Sequence, residues 1–213
     1  LQSGNFTGGG IVGKNIGRIN DVYSLVEFNT YAYGISSIGG VAGESNDSII
    51  EKITVIGTLT NKTGQAGYTS VGGVLGNVIG TGTKVKDVFV DVKIYVDKEN
   101  HDYGGGGAVV GRLRFGGATI ENVIAFGEVK KNPNLSGLHV GGITGEIWNG
   151  GINESVLVRN ILTFVDVDNN GFNSLITGSQ RTDGEGTIIV VNAYHIDYLS
   201  NKHNLINSNE VTT

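Results

Sequence analysis

The sequence predicts an all-β fold, a right-handed parallel β-helix (β-solenoid) of about six coils of roughly 33 residues. Three observations predict it. A glycine signature returns along the chain as Gly8-Gly-Gly-Ile-Val-Gly13, Ile38-Gly-Gly-Val-Ala-Gly43, Val71-Gly-Gly-Val-Leu-Gly76, Gly106-Gly-Ala-Val-Val-Gly111 and Val140-Gly-Gly-Ile-Thr-Gly145, with a degenerate copy at Leu175-Ile-Thr-Gly178. The closing glycines fall 30, 33, 35, 34 and 33 positions apart, and a fixed period of this length marks a stacked repeat. Finally, runs such as Val85–Val96 and Val158–Val167 are rich in β-branched residues with partial alternation, while helical periodicity is nowhere sustained.

Each signature reads as a short strand meeting a tight bend. Paired glycines allow close backbone approach, and the closing glycine is expected to supply positive φ at a corner. Apolar residues between them, such as Val74 and Ile143, should point into the core. A second segment then opens a strand: Ile19-Asn-Asp-Val22, Ile50-Glu-Lys-Ile53, Val85-Lys-Asp-Val88, Ile120-Glu-Asn-Val123, Val158-Arg-Asn-Ile161 and Val190-Val-Asn-Ala193. Its third position should stack as Asp21, Lys52, Asp87, Asn122, Asn160 and Asn192, with a side-chain amide ladder in the C-terminal half, where all copies are Asn. The spacer from Gly145 to Val158 is longer than that from Gly13 to Ile19, so insertions should loop out at that corner. A propeller blade needs more residues than one repeat holds. An antiparallel barrel needs hairpin signals that are weak here.

Composition bounds the rest. The 213 residues include 36 Gly but a single Pro, with no Cys and no Met, and carry a formal net charge of −5. Without Cys, disulfides and thiolate metal sites are excluded. No basic stripe suits nucleic acid and no apolar run is long enough to span a bilayer, so neither nucleic acid nor membrane insertion is expected. The absence of Met suggests a fragment of a longer protein. Residues 1–7 are expected to be a leader or cloning remnant with the N-terminal edge, 8–205 a single solenoid domain, and 206–213 a polar tail or linker.

The pattern [Ile/Val]-Gly-Gly-[Ile/Val]-x-Gly followed by [Ile/Val]-x-[Asn/Asp]-Val, clearest over Val71–Val88 and Val140–Ile161, resembles the GLUG repeat. That repeat occurs in non-catalytic regions of Gram-positive immunoglobulin A protease-type zinc metalloproteases and in other bacterial surface proteins. The resemblance implies an extracellular or cell-surface parent. In it this region would act as spacer and recognition surface for a host glycoprotein, an immunoglobulin or a cell-surface glycan, beside other domains of the same polypeptide. A stand-alone adhesin or carbohydrate-binding module is the alternative. The histidines are His101, His139, His195 and His203, and none forms His-Glu-x-x-His. Zinc is therefore expected only in a separate catalytic domain, and no cofactor is expected here.

Among candidate sites, Asp166, Asp168 and Asn170 followed by Gly171 match the first half of a calcium loop, but Thr177 stands where the closing acid belongs. The same residues suit a polar turn. Tyr33, Tyr68, Tyr103, Leu138 and Phe172 precede successive signatures at near-constant spacing. They should stack along one edge, as an internal ladder or as a contact row. Tyr68, Tyr103 and Phe172 are ligand-contact candidates for that reason, together with Trp148 beside the insertion-prone Asn149-Gly-Gly151. Carboxylates that could align across coils, Glu51, Asp87 and Glu121, alternate with Lys and Asn and read as solvated structural groups rather than a catalytic pair.

Overall fold

The fold is known from a computed structural model. It describes residues 4–32, 34–63, 67–98, 104–114, 117–134, 137–148, 155–167, 175–181, 187–196 and 211–212. Every described element is a strand, and the coils stack as a β-solenoid. Each coil contributes two short strands and one long one. The first coil holds β1 (Phe6–Gly9), β2 (Val12–Asn15) and β3 (Arg18–Ala32), and the second β4 (Ser36–Gly39), β5 (Ala42–Ser45) and β6 (Ile49–Thr63). The third holds β7 (Thr69–Gly72), β8 (Leu75–Val78) and β9 (Lys84–Lys98). The fourth holds β10 (Gly104–Gly107), β11 (Val110–Arg114) and β12 (Thr119–Lys131), and the fifth β13 (His139–Gly141), β14 (Thr144–Trp148) and β15 (Val156–Val167). A sixth coil contributes β16 (Thr177–Arg181) and β17 (Ile188–His195) among the described residues. Five coils thus carry all three strands.

Equivalent strands pair in parallel, giving three sheets that run the length of the stack. The register keeps signature on signature: Ile38 faces Val71 and Gly106 faces Val140. At the C-terminal end β18 (Val211–Thr212) pairs antiparallel with β17, so the last long strand has a partner on its outer side.

The core lies inside the coils and repeats with them. Ile38, Val71 and Val140 from the first short strands meet Val55, Val90, Ala125 and Val158 from the long ones, all fully buried. Val74 and Ile143 are buried as the signature predicted. A row of equivalent positions filled by Val, Ile or Ala packs each coil against its neighbours, and burial is complete in the inner coils but partial in the first, where Val12, Ile19 and Val22 are half-buried.

The closing glycines correct one expectation. They do not turn corners. Gly13, Gly43, Gly76, Gly111, Gly145 and Gly178 lie within the second short strands, and the described glycines with positive φ are Gly57, Gly67, Gly104, Gly117 and Gly127. From Gly43 onward their requirement is steric. A β-carbon on Gly111 would fall 2.4 Å from the Val71 amide nitrogen, and one on Gly145 would fall 2.3 Å from that of Gly106. The two short-strand sheets therefore meet backbone against backbone, at a separation no other residue permits.

Candidate functional site

The long-strand sheet presents its outer face to solvent, and the second sequence segment shapes that face. Asp21, Lys52, Asp87, Asn122, Asn160 and Asn192 all have left-handed backbone, with φ between 53° and 63°. Asn and Asp tolerate this region better than other non-glycine residues. The turn of backbone there resets the alternation. Val85 and Val88 are both buried although three apart, as are Ile120 and Val123. Each long strand consequently bends at the same place, and the bends align into a groove that crosses the strands.

The groove floor carries the amide ladder. Asn122 Nδ2 donates to Asp87 Oδ1 at 2.8 Å, Asn160 Nδ2 to Asn122 Oδ1 at 3.0 Å, and Asn192 Nδ2 to Asn160 Oδ1 at 3.3 Å. The expected Asn ladder is present and reaches one coil further, to Asp87.

One position earlier runs a row of charges. Glu51 binds Lys86 at 2.7 Å and also Arg18, while Arg159 Nε donates to Glu121 at 2.6 Å. Glu51 is almost wholly covered, which corrects its reading as a solvated group. Hydrogen bonds from Lys86 and then Arg18 hold its carboxyl below the ordinary value, and Glu51 in turn raises Lys86. These charges neutralise one another across coils, so the row is an inter-coil clamp.

Two positions after the ladder, Tyr23, Thr54, Phe89, Ile124, Leu162 and Tyr194 align in register. Tyr23, Phe89 and Ile124 are exposed, and Leu162 and Tyr194 are half-buried. Beyond them Phe126 and Phe164 stack face to face at 4.6 Å, with Phe89 tilted 5.8 Å from Phe126. Ladder and apolar row together line a shallow groove of about 650 Å³ over the C-terminal coils, and a second depression continues it from Asp21 to Asn122. The sequence does not single out this row. Its signal was a large side chain at one fixed offset from each Asx, blurred by the change from Tyr to Thr, Phe, Ile and Leu.

A second polar row lies on the middle sheet, one residue after each closing glycine. Lys14 pairs with Glu44 at 2.8 Å, Asn77 follows, and Arg112 pairs with Glu146 at 2.8 Å with both side chains buried. Tyr68 and Trp148 belong to this cluster. The Arg112 guanidinium lies 4.3 Å from the Tyr68 ring centre and 5.3 Å from that of Trp148, and Arg114 lies 5.0 Å from Trp148. Trp148 ends β14 half-buried against these arginines. Leu138 is buried. Tyr33, Tyr103 and Phe172 lie outside the described residues, as do Asp168 and Asn170 of the calcium candidate. Asp166 is exposed, 3.9 Å from Lys130. Among the described residues no group of three His, Cys, Asp or Glu could hold a metal ion. Nor does any described helix have the length and apolarity to cross a membrane.

No family model matches the chain, and no solved structure matches it. The GLUG resemblance thus rests on the signature residues themselves. Among curated proteins, the zinc metalloprotease ZmpC of Streptococcus pneumoniae serotype 4 is 33% identical over 147 residues. The match takes in 69% of this chain but 7% of that relative, so the chain spans a small part of its relative's length. This β-solenoid is therefore similar in sequence to a short region of a streptococcal zinc metalloprotease.

Proposed function

We propose that the chain is a non-catalytic β-solenoid domain of a bacterial cell-surface zinc metalloprotease of the immunoglobulin A protease type. It acts as a rigid spacer for the catalytic domain and as a recognition surface for host glycoprotein. The observation that carries this reading is the 33% identity to a region of a streptococcal zinc metalloprotease. Two others support it. No His-Glu-x-x-His occurs anywhere in the chain, so zinc would be held in a different domain. Continuous parallel sheets also make a stack whose length grows with coil number, which suits a spacer.

The reading is tested in the reading frame that encodes the segment and in the protein itself. A His-Glu-x-x-His helix in the same polypeptide, together with zinc-dependent cleavage by the whole protein and none by these 213 residues, is the expected result. Zinc-dependent proteolysis by the 213-residue chain would overturn the non-catalytic assignment. A frame with further repeats and a wall anchor but no zinc motif would favour the second reading, an adhesin or carbohydrate-binding module, to which the exposed Tyr23–Phe89–Ile124 row lends support.

A further inference from the structure

We propose that the groove beside the Asn ladder binds a linear, uncharged, N-acetylated glycan of the kind host glycoproteins carry, laid along the solenoid axis. The proposal rests on the recognition half of the function proposed above and gives it a site and a ligand class.

The groove has two chemically distinct sides with one period. Asn122, Asn160 and Asn192 supply one carboxamide per coil, each donating a single N–H to the ladder. A carboxamide has two N–H donors and an oxygen with two lone pairs, so a donor and an acceptor per coil remain for a ligand. Ile124, Leu162 and Tyr194 supply the other side with one apolar face per coil. A pyranose chain has the same two-sidedness: hydroxyl and acetamide edges for the amides, and C–H faces for apolar and aromatic groups.

Period and charge narrow the occupant. Parallel strands repeat about every 4.8 Å. A β-linked pyranose chain advances by nearly that length per sugar, whereas an extended peptide advances about 3.3 Å per residue and loses register within a few coils. A peptide adding itself to a sheet would choose an edge strand rather than the face. The cations nearest the C-terminal groove are engaged, Arg159 with Glu121 and Lys86 with Glu51. Among the described residues, anionic polymers thus find no unpaired positive charge on the floor at Asn122, Asn160 and Asn192, Lys52 lying in the N-terminal depression, and an uncharged glycan matches that floor. Hydroxyls and acetamides both give and accept hydrogen bonds, and an acetamide adds the planar N–H and C=O pair of an amide, the same group that Asn122, Asn160 and Asn192 present.

The test is NMR titration of the intact 213-residue chain with oligo-N-acetyllactosamines from disaccharide to hexasaccharide, alongside bacterial wall glycan fragments. The expected result is perturbation of the side-chain amide signals of Asn122, Asn160 and Asn192. Affinity should rise by about fivefold or more from disaccharide to hexasaccharide as successive coils engage. Leu162→Lys, at a half-exposed position, should weaken hexasaccharide binding by about tenfold or more, with backbone shifts elsewhere unchanged. Tyr194→Ala provides a second variant should the first perturb the fold. Lactosamines that leave those amide signals unmoved overturn the proposal, as does tighter binding of the wall glycan. Capture of a glycoprotein that survives both deglycosylation and Leu162→Lys would overturn the groove while leaving the recognition role in place.

Discussion

Asn160 donates its side-chain amide to Asn122 at 3.0 Å, and both residues hold the left-handed backbone that bends their strands. One residue type thus meets two demands, a conformation that most side chains resist and a hydrogen bond to the next coil. Asn160→Ala should remove both and destabilise the domain by about 2–3 kcal/mol, from a left-handed cost of about 1–2 and a hydrogen bond of about 1. Asn160→Gly keeps the conformation and should lose less. Equilibrium denaturation of the two variants separates the terms; equal losses would show that the backbone contributes nothing.

The glycine seam makes a sharper prediction. Gly111→Ala places a methyl 2.4 Å from the Val71 nitrogen, in a backbone contact that cannot yield without separating two sheets. A loss of about 3 kcal/mol or more, or failure to fold, is expected. Gly17→Ala has nothing within 4 Å of the new carbon and should be near neutral. Thermal melts of both distinguish steric need from a general intolerance of glycine replacement.

Arg112 and Glu146 form a buried pair at 2.8 Å. Removing one partner takes this ion pair from the other's buried charge. Arg112→Met alone should therefore cost about 3–5 kcal/mol, and Arg112→Met with Glu146→Leu should recover most of it. A double variant no better than the single one would contradict this account of the cluster.

Glu51 gives the pH dependence. Its folded-state pKa is depressed by Lys86 and Arg18, so its contribution is complete above the ordinary value of 4.5 and is lost as pH falls through the lowered folded value. Glu51→Gln should accordingly flatten the acid limb of a stability–pH profile measured between neutrality and strong acid. An unchanged acid limb would mean that the clamp is energetically silent.

The residues show why some of this was legible in sequence and some was not. Coil period and Asn ladder could be read directly, because parallel stacking in register converts each structural row into a recurring letter. The closing glycines read as corners because positive φ and steric exclusion select the same residue; close backbone approaches such as that of Gly111 to Val71 separate the two. Glu51 reads as solvated in the sequence because alternation with Lys looks alike on an exposed face and in a covered clamp. The apolar row is hidden in the sequence because its requirement, a large outward side chain at Tyr23, Phe89, Ile124, Leu162 and Tyr194, is met by chemically different residues. Trp148, the lone tryptophan beside the insertion, is half-buried with its ring 5.0 Å from Arg114, a packing that the sequence does not reveal.

A solenoid that recognises a host glycoprotein through an outward face, and does no chemistry itself, must bind such a partner without cutting it. Surface-binding measurements of the 213-residue chain against immobilised host glycoproteins, with the analyte examined for cleavage afterwards, test it most directly. Saturable binding to an uncut partner, weakened by Leu162→Lys, is the predicted result. Absence of binding to every glycoprotein tried, or cleavage of the one that binds, would contradict it.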